Sequence, residues 1–261
     1  DGKANISIGD RPTSDRLSKI FREAIALNEA ALTKLRGYNF TTKLEFPQDW
    51  GLGSSSTLIS LLAQWLEVDP FLLLQNTFGG SGYDIACAQA MGPLTYQLKE
   101  KQAVWQEIEW SPEWVKDTYF VHRNKKQNSR EGIQQYRKNP VNYSAIQEIS
   151  EITAAIQKAR QPAEVLDLLH RHEAITGQLV NQIPIQQQHF SDFPGVVKSL
   201  GAWGGDFAWA IPIDPTFNTL AYFADRGFST IIQWEEMTRL PTAYSGQTRK
   251  LHRQRSPTLD R

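Results

Sequence analysis

The stretch FPQDWGLGSSSTLIS, residues 46–60, places two glycines and three consecutive serines directly before a run of apolar helix formers. The first turn of a helix leaves backbone N–H groups without partners, and the helix dipole adds about half a positive charge there. Glycines let the backbone adopt positive φ and approach a ligand, and serine hydroxyls are further hydrogen-bond donors. The segment therefore predicts a helix start that binds a phosphate.

Two interpretations of this loop stay open at the level of the segment. A Walker P-loop is excluded, because no lysine follows the final glycine at the required place. The serines can still act as neutral ligands to a Mg²⁺ ion that accompanies a phosphate. The alternative is a flexible turn followed by a serine that caps the helix.

The bulk composition limits the classes of function. The 261 residues include 28 Lys and Arg and 28 Asp and Glu, so the formal net charge is zero. This balance gives no general attraction to nucleic acid or to acidic membranes. Cys87 is the single cysteine, which excludes an intrachain disulfide. The first ten residues lack the apolar core of a signal peptide, and no apolar run is long enough to span a membrane. We expect a cytoplasmic protein, either monomeric or a homodimer.

Hydrophobic periodicity predicts a mixture of helices and strands on both sides of Pro140. Ser14 and Asp69 are the predicted caps of two helices, and Gly37 ends the first of them. Before Pro140 we predict helices over residues 14–37, 57–66 and 69–78, and strands over 39–46, 92–98, 103–110 and 118–123. After it we predict helices over 143–159, 163–183 and 217–227, two strands within 195–213, and one over 228–234.

Asp84 follows a glycine run in GGSGYDIACA, residues 79–88, and precedes an apolar stretch. An acid at such a junction can simply cap a helix. Alternatively, a carboxylate held near a substrate can orient a hydroxyl and accept its proton. In phosphoryl transfer the transition state is loose, so the orientation of the hydroxyl matters at least as much as basicity. The sequence leaves both roles open.

Three segments in this order resemble the motifs of the GHMP kinases, the superfamily of galactokinase, homoserine kinase and mevalonate kinase. They are PQDWGLGSSS (residues 47–56), GGSGYDIA (residues 79–86) and KSLGAWGGDF (residues 198–207). The second segment is most similar to phosphomevalonate kinases and to a bacterial branch known by the string GYDIA. The similarity extends from the first predicted helix to about Glu236.

The resemblance implies an α/β (α+β) fold of two layers, with an N-terminal nucleotide-binding half and a C-terminal ferredoxin-like half. The corresponding domains are residues 1–139 and 140–239. Beyond them the polar composition of residues 240–261, with several Arg and Lys residues, predicts a disordered tail that has no counterpart in the family. The first domain is expected to be incomplete at its start, because the family's first motif has no counterpart in this chain. Two further departures are Trp203, where the family has glycine, and the lack of an acid in FLLLQNTF, residues 71–78.

The resemblance also implies roles for individual residues. Asp84 is the catalytic carboxylate, and Ser55 contacts the metal. The substrate is expected to bind near the second and third motifs and a basic run. ATP is held by Gly51, Leu52, Gly53, Ser54, Ser55 and Ser56, and the acceptor by Ser81, Gly82, Gly204, Gly205 and Asp206. Apart from the resemblance, the basic run adds Lys126 and Arg130 as candidate contacts of the acceptor.

The expected function is therefore an ATP- and Mg²⁺-dependent kinase of mevalonate or phosphomevalonate. Its partner is a small acceptor, which we expect to be anionic because the run from Arg123 to Arg130 is basic, although a solvated loop has the same composition. The alternatives are a non-catalytic relative that binds a nucleotide or a protein, and a sugar kinase of the same superfamily. His170 and His172 are too close together on one predicted helix to share a metal, so we expect packing or surface roles for them.

Overall fold

The computed structural model describes residues 11–36, 41–125, 134, 136–201, 203 and 205–238. The fold is mixed α/β and contains two small antiparallel sheets. Lys126, Arg130, Gly204 and the tail predicted over 240–261 lie outside the described residues. Within the described ranges, no helix has both the length and the apolar character needed to cross a membrane.

Five helices form the N-terminal layer around one apolar core. Ile20, Leu66, Leu73 and Ile85 are fully buried in this core. Asp69 caps the fourth helix as predicted, because its carboxylate accepts hydrogen bonds from the two following backbone amides. The helices are α1 (Arg11–Leu27), α2 (Ala30–Leu35), α3 (Ser54–Leu66), α4 (Pro70–Thr77) and α5 (Tyr83–Gln89).

Two predictions for this layer are wrong. The single helix predicted from Ser14 is two helices, and the first begins at Arg11. The helix is interrupted at Asn28, whose side chain donates to the Leu66 carbonyl (3.0 Å) and accepts from the Ala30 amide (3.2 Å). The bond from Ala30 is local and competes with the helix, and the bond to Leu66 links the break to the end of α3. The strand predicted over 39–46 is also absent from its described part, residues 41–46.

The first sheet is a hairpin of β1 (Leu94–Lys99) and β2 (Gln102–Glu107). Its turn residues, Glu100 and Lys101, both have positive φ, at 50° and 66°. Such a turn matches the twist of the two strands, although neither of its central residues is a glycine. The hairpin packs against α5 and so supports the segment that carries Asp84.

The second sheet has the order β4-β5-β3-β6, and all neighbouring strands are antiparallel. Within the described residues, the chain runs from β3 through a helical region to β4 and β5, and then through a further helix to β6. β3 precedes Pro140 but lies in the middle of this sheet. The strands are β3 (Tyr119–His122), β4 (Gly195–Ser199), β5 (Phe207–Pro212) and β6 (Ile231–Gln233), and the helices are α6 (Tyr143–Lys158), α7 (Pro162–Val180), α8 (Ile185–His189), α9 (Thr219–Ala224) and α10 (Trp234–Met237).

Apolar clusters cover both faces of the second sheet, and every residue of β5 is buried. One cluster includes Trp209, and the other includes Phe190 and Phe223. Trp203 and Trp209 are both buried. Trp50 and Leu52 from the glycine-serine loop pack against the first cluster. This contact joins the start of α3 to the sheet.

Candidate functional site

The glycine-serine loop adopts the backbone conformation that its glycines allow. Gly51 and Gly53 have φ of 66° and 70°, in the left-handed region that glycine tolerates best. Gly53 is the N-cap of α3 and no side chain caps the helix, so the serine-cap interpretation is wrong. The first backbone bond of α3 runs from the Thr57 amide to the Gly53 carbonyl (2.9 Å). The amides of the three serines precede this bond and lie at the positive end of the helix dipole.

Trp50 fixes the loop against the second sheet. Its ring lies edge-on to Phe207, with 5.5 Å between ring centroids, and 6.1 Å from the ring of His122. His122 is buried, and among the described residues none forms a hydrogen bond with its Nε2 atom. Aromatic contacts therefore hold Trp50 against the sheet.

Two carboxylates lie against the two glycines of the loop. A Cβ atom placed on Gly51 would lie 2.1 Å from Cγ of Asp206, so only a glycine fits there without displacing the carboxylate. A Cβ atom on Gly53 would lie 3.5 Å from Cγ of Asp84. The three sequence motifs, separated by up to about 150 residues in the chain, thus meet at one loop.

Asp84 lies in the first turn of α5 but does not cap it. The N-cap is Gly82, with φ of 81°, and it makes no side-chain bond. The capping interpretation of Asp84 is therefore wrong. Partial burial raises the pKa of the Asp84 carboxyl, and a hydrogen bond from Ser56 opposes this effect. A carboxyl with a raised pKa holds a proton more readily, which suits a group that accepts one during a reaction.

The segment before α5 is held by close packing. A Cβ atom on Gly82 would lie 2.8 Å from the Phe71 ring, so a larger residue does not fit there without a shift. The Tyr96 hydroxyl donates to the Ser81 carbonyl, and its ring lies edge-on to Tyr83 at 5.8 Å. Burial is the main reason why the pKa of Tyr83 is raised, and the neighbouring Cys87 adds to it. The hairpin and α4 thus fix the position of Asp84.

A buried carboxylate organises the third motif. Glu173 on α7 accepts hydrogen bonds from Lys198 Nζ (3.1 Å), the Ser199 amide (3.0 Å) and Trp203 Nε1 (3.1 Å). Trp203 has a φ of 55°, a conformation that is costly for a bulky residue. Its bond to Glu173 offsets part of that cost. The tryptophan thus adopts a left-handed backbone conformation of the kind that glycine tolerates best.

The structure separates the predicted site residues into several groups. The Ser56 hydroxyl donates a hydrogen bond to Asp84, whereas the Ser55 side chain is exposed at the start of α3. The predicted metal contact of Ser55 stays a prediction. The Leu52 side chain packs into the sheet core, so only its backbone can face a ligand. Gly205 is buried beside Asp206 in the third motif. His172 contacts Thr176 and Lys198, in agreement with the predicted packing role.

Sequence reasoning did not identify Trp50, His122 or Glu173. Periodicity places His122 at the end of a strand and Glu173 within a helix, but it gives no signal that either lies near a motif loop. The tryptophan in QDWG, next to the first glycine, was the one available hint of an anchor.

Comparison of the chain with protein-family models, curated proteins and solved structures gives no match in any of the three. In the described part of the chain, no group of three or more His, Cys, Asp or Glu side chains could hold a metal ion. The geometry of the loop and of the two carboxylates therefore carries the functional argument.

Proposed function

We propose that this protein is a cytoplasmic, ATP-dependent small-molecule kinase of the GHMP type. It transfers the γ-phosphoryl group of ATP to a hydroxyl or phosphate oxygen of mevalonate or phosphomevalonate. The observation that carries this proposal is the approach of Asp84 and Asp206 to the two glycines of one helix-start loop. The second sheet supports it, because its element order and strand order match a ferredoxin-like split βαβ arrangement.

In this proposal the phosphates of ATP bind at the start of α3. The amides of Ser54, Ser55 and Ser56 point toward the helix N-terminus and act as donors at its positive end. Gly51 and Gly53 add backbone that a ligand can approach closely. This binding uses mainly backbone groups, so it depends on the loop conformation more than on any single side chain.

The residues at the loop fit Mg²⁺ that arrives with the nucleotide. Mg²⁺ prefers oxygen ligands and is commonly held by one or two carboxylates together with substrate phosphates. Asp84, Asp206 and the Ser55 hydroxyl are oxygen donors of this kind, and the described residues contain no complete metal cage. When bound, the ion neutralises the charge that develops on the phosphoryl oxygens.

Asp84 orients the acceptor hydroxyl and takes its proton. Ser56 donates to the Asp84 carboxylate and restricts its orientation. The raised pKa moves this carboxyl toward the range in which a base is effective near neutral pH. Phe71 and Tyr96 hold the backbone that carries Asp84, so the carboxylate is positioned before the acceptor binds.

The test is a paired measurement of turnover and ATP affinity for wild type and Asp84→Asn. Asparagine has nearly the same size but takes no proton at neutral pH, so we expect turnover to fall roughly 10²–10⁴-fold. ATP affinity should change far less than turnover, because the phosphates contact mainly backbone donors of α3 and because Asp206 and Ser55 remain as oxygen ligands for Mg²⁺. Mevalonate, phosphomevalonate and a neutral sugar are the acceptors to compare.

The matched control is Asp69→Asn, which makes the same chemical change at the cap of α4. Asparagine caps a helix about as well as aspartate, so this variant should retain wild-type turnover. Near-normal turnover in Asp84→Asn would contradict the catalytic role. ATP binding without turnover of any acceptor by the wild type would instead support a non-catalytic relative.

A further inference from the structure

A polar cavity of about 320 Å³ lies at the end of the second sheet, next to the third motif. Its walls combine the residues that follow β3 with the ends of β4 and α8. No Asp or Glu is among its described lining residues. Its lining includes the side chains of Arg123, Lys125, His189, Ser199 and Trp203.

Arg123 is the half-buried cation of this cavity. Burial lowers the pKa of its guanidinium, which means that the surroundings disfavour the charge. None of the ion pairs among the described residues involves this guanidinium. Glu173 lies behind Ser199 and Trp203, but it already accepts three hydrogen bonds, including one from Lys198. A desolvated cation without a counter-charge is costly, and a bound anion would offset that cost.

We propose that this cavity binds the phosphate group of a small phosphate monoester. Arg123 and Lys125 together bring two positive charges, and a phosphate monoester carries about −1.5 to −2 at neutral pH. A carboxylate would balance only one of them. The planar guanidinium binds two phosphate oxygens at once, while the exposed Lys125 adds a mobile point charge. The cavity is at the small end of the range for ligand pockets, which is about 300–1,000 Å³.

The cavity borders the candidate active site through Asp206. The backbone amide of Arg123 donates to the Asp206 carbonyl (2.9 Å), and the Asp206 carboxylate lies against Gly51. A phosphate bound at Arg123 would therefore hold a small molecule beside the third motif. The phosphate site depends only on the cavity, whereas its use by a phosphorylated acceptor rests on the proposed kinase function.

The test is calorimetric titration of the protein with inorganic phosphate at low ionic strength. EDTA is present, so that a metal-dependent site at the α3 loop does not contribute. Wild type is compared with Arg123→Gln, Lys125→Gln and the control Arg22→Gln. Arg22 is an exposed arginine on α1, and within the described part of the chain its side chain bonds to the Ser18 carbonyl of the same helix (3.3 Å).

We expect wild type and Arg22→Gln to bind phosphate equally. Arg123→Gln should weaken binding roughly tenfold or more, because a charge-assisted hydrogen bond is lost. Lys125→Gln should weaken it by a smaller factor that shrinks as salt is added. Circular dichroism establishes that each variant is folded; if Arg123→Gln is not, the exposed Lys125→Gln decides the test. Equal affinity in all four proteins, or no phosphate binding by the wild type, would overturn the proposal.

Activity assays separate this site from the proposed function. If phosphate binds as expected but no acceptor is phosphorylated, the cavity assignment stands and the kinase proposal fails. If the protein phosphorylates both mevalonate and phosphomevalonate, Arg123→Gln should raise the KM for phosphomevalonate alone. An unchanged KM for both would leave the kinase in place and refute the use of this cavity by the acceptor.

Discussion

Replacing Gly51 with alanine tests the contact between the glycine-serine loop and the third motif. Gly51 and Gly53 have nearly equal φ, at 66° and 70°, so an alanine at either position adopts the same unfavourable conformation. That conformation costs about 1–2 kcal/mol for a residue with a Cβ atom. The surroundings differ, because the added Cβ would lie 2.1 Å from Asp206 Cγ at Gly51 but 3.5 Å from Asp84 Cγ at Gly53.

The difference between the two variants can be worked out from these distances. At Gly53 the separation is an ordinary contact, so only the conformational cost of about 1–2 kcal/mol applies. At Gly51 the Asp206 side chain must rotate away from its position, which adds about 0.5–1.5 kcal/mol. We therefore expect Gly51→Ala to lower the free energy of unfolding by about 1 kcal/mol more than Gly53→Ala does.

Urea unfolding, followed by circular dichroism and tryptophan fluorescence, measures this difference if the slope m is unchanged. Asp206→Ala and the double variant with Gly51→Ala complete a double-mutant cycle. The additional cost of Gly51→Ala should disappear in the Asp206→Ala background, since no carboxylate is left to displace. Equal losses for the two glycine variants, or an additional cost that persists without Asp206, would refute the proposed contact.

Two further predictions concern the network around Glu173. Glu173→Gln should lower the free energy of unfolding by about 3 kcal/mol in urea titrations, because it leaves the largely buried Lys198 without its counter-charge. The control Glu148→Gln removes a carboxylate from an exposed ion pair and should cost under about 1 kcal/mol. Equal losses in the two variants would contradict this difference. Burial and the Lys198 charge lower the pKa of His172 to about 4, so the unfolded chain binds this proton more readily than the folded one. The free energy of unfolding should therefore fall as the pH is lowered from 6.5 to about 4, and it should fall less in His172→Gln. Thermal melting at several pH values measures this dependence, and the same dependence in both proteins would oppose the assignment.

Elements with strong local signals were predicted well from the sequence. The cap at Asp69 correctly predicted the start of α4, and the two strands predicted within residues 195–213 formed as expected. Local chemistry decides such features, so a short window of sequence contains the necessary information. The break at Asn28 depends instead on the carbonyl of Leu66, a residue 38 positions away, which no short window contains.

The candidate site likewise combines features that local sequence determines with features that depend on distant residues. The glycine-serine loop was predicted to begin a helix, and its glycines do adopt positive φ. The partners that fix the site were not predicted, because they come from distant elements: Glu173 from α7 holds the third motif, and Phe207 from β5 packs against the loop tryptophan. Asp84 was identified by its neighbours in sequence, but its raised pKa results from burial in the folded protein.

The two anion sites that we propose differ in the sign of the charges around them. At the α3 loop, the helix dipole attracts a phosphate, but Asp84 and Asp206 repel it. Two like charges about 4 Å apart repel by about 1 kcal/mol in water and by about 4 kcal/mol near a protein surface. A helix N-terminus contributes typically 0.3–1 kcal/mol, so two carboxylates outweigh it unless a divalent cation lies between them and the phosphate. The cavity at Arg123 and Lys125 has the opposite charge balance, because cations line it and no described acid does. We therefore propose that ATP binds at the loop together with a divalent cation, whereas a phosphate monoester enters the cavity without one, so that the two anions do not compete for one site.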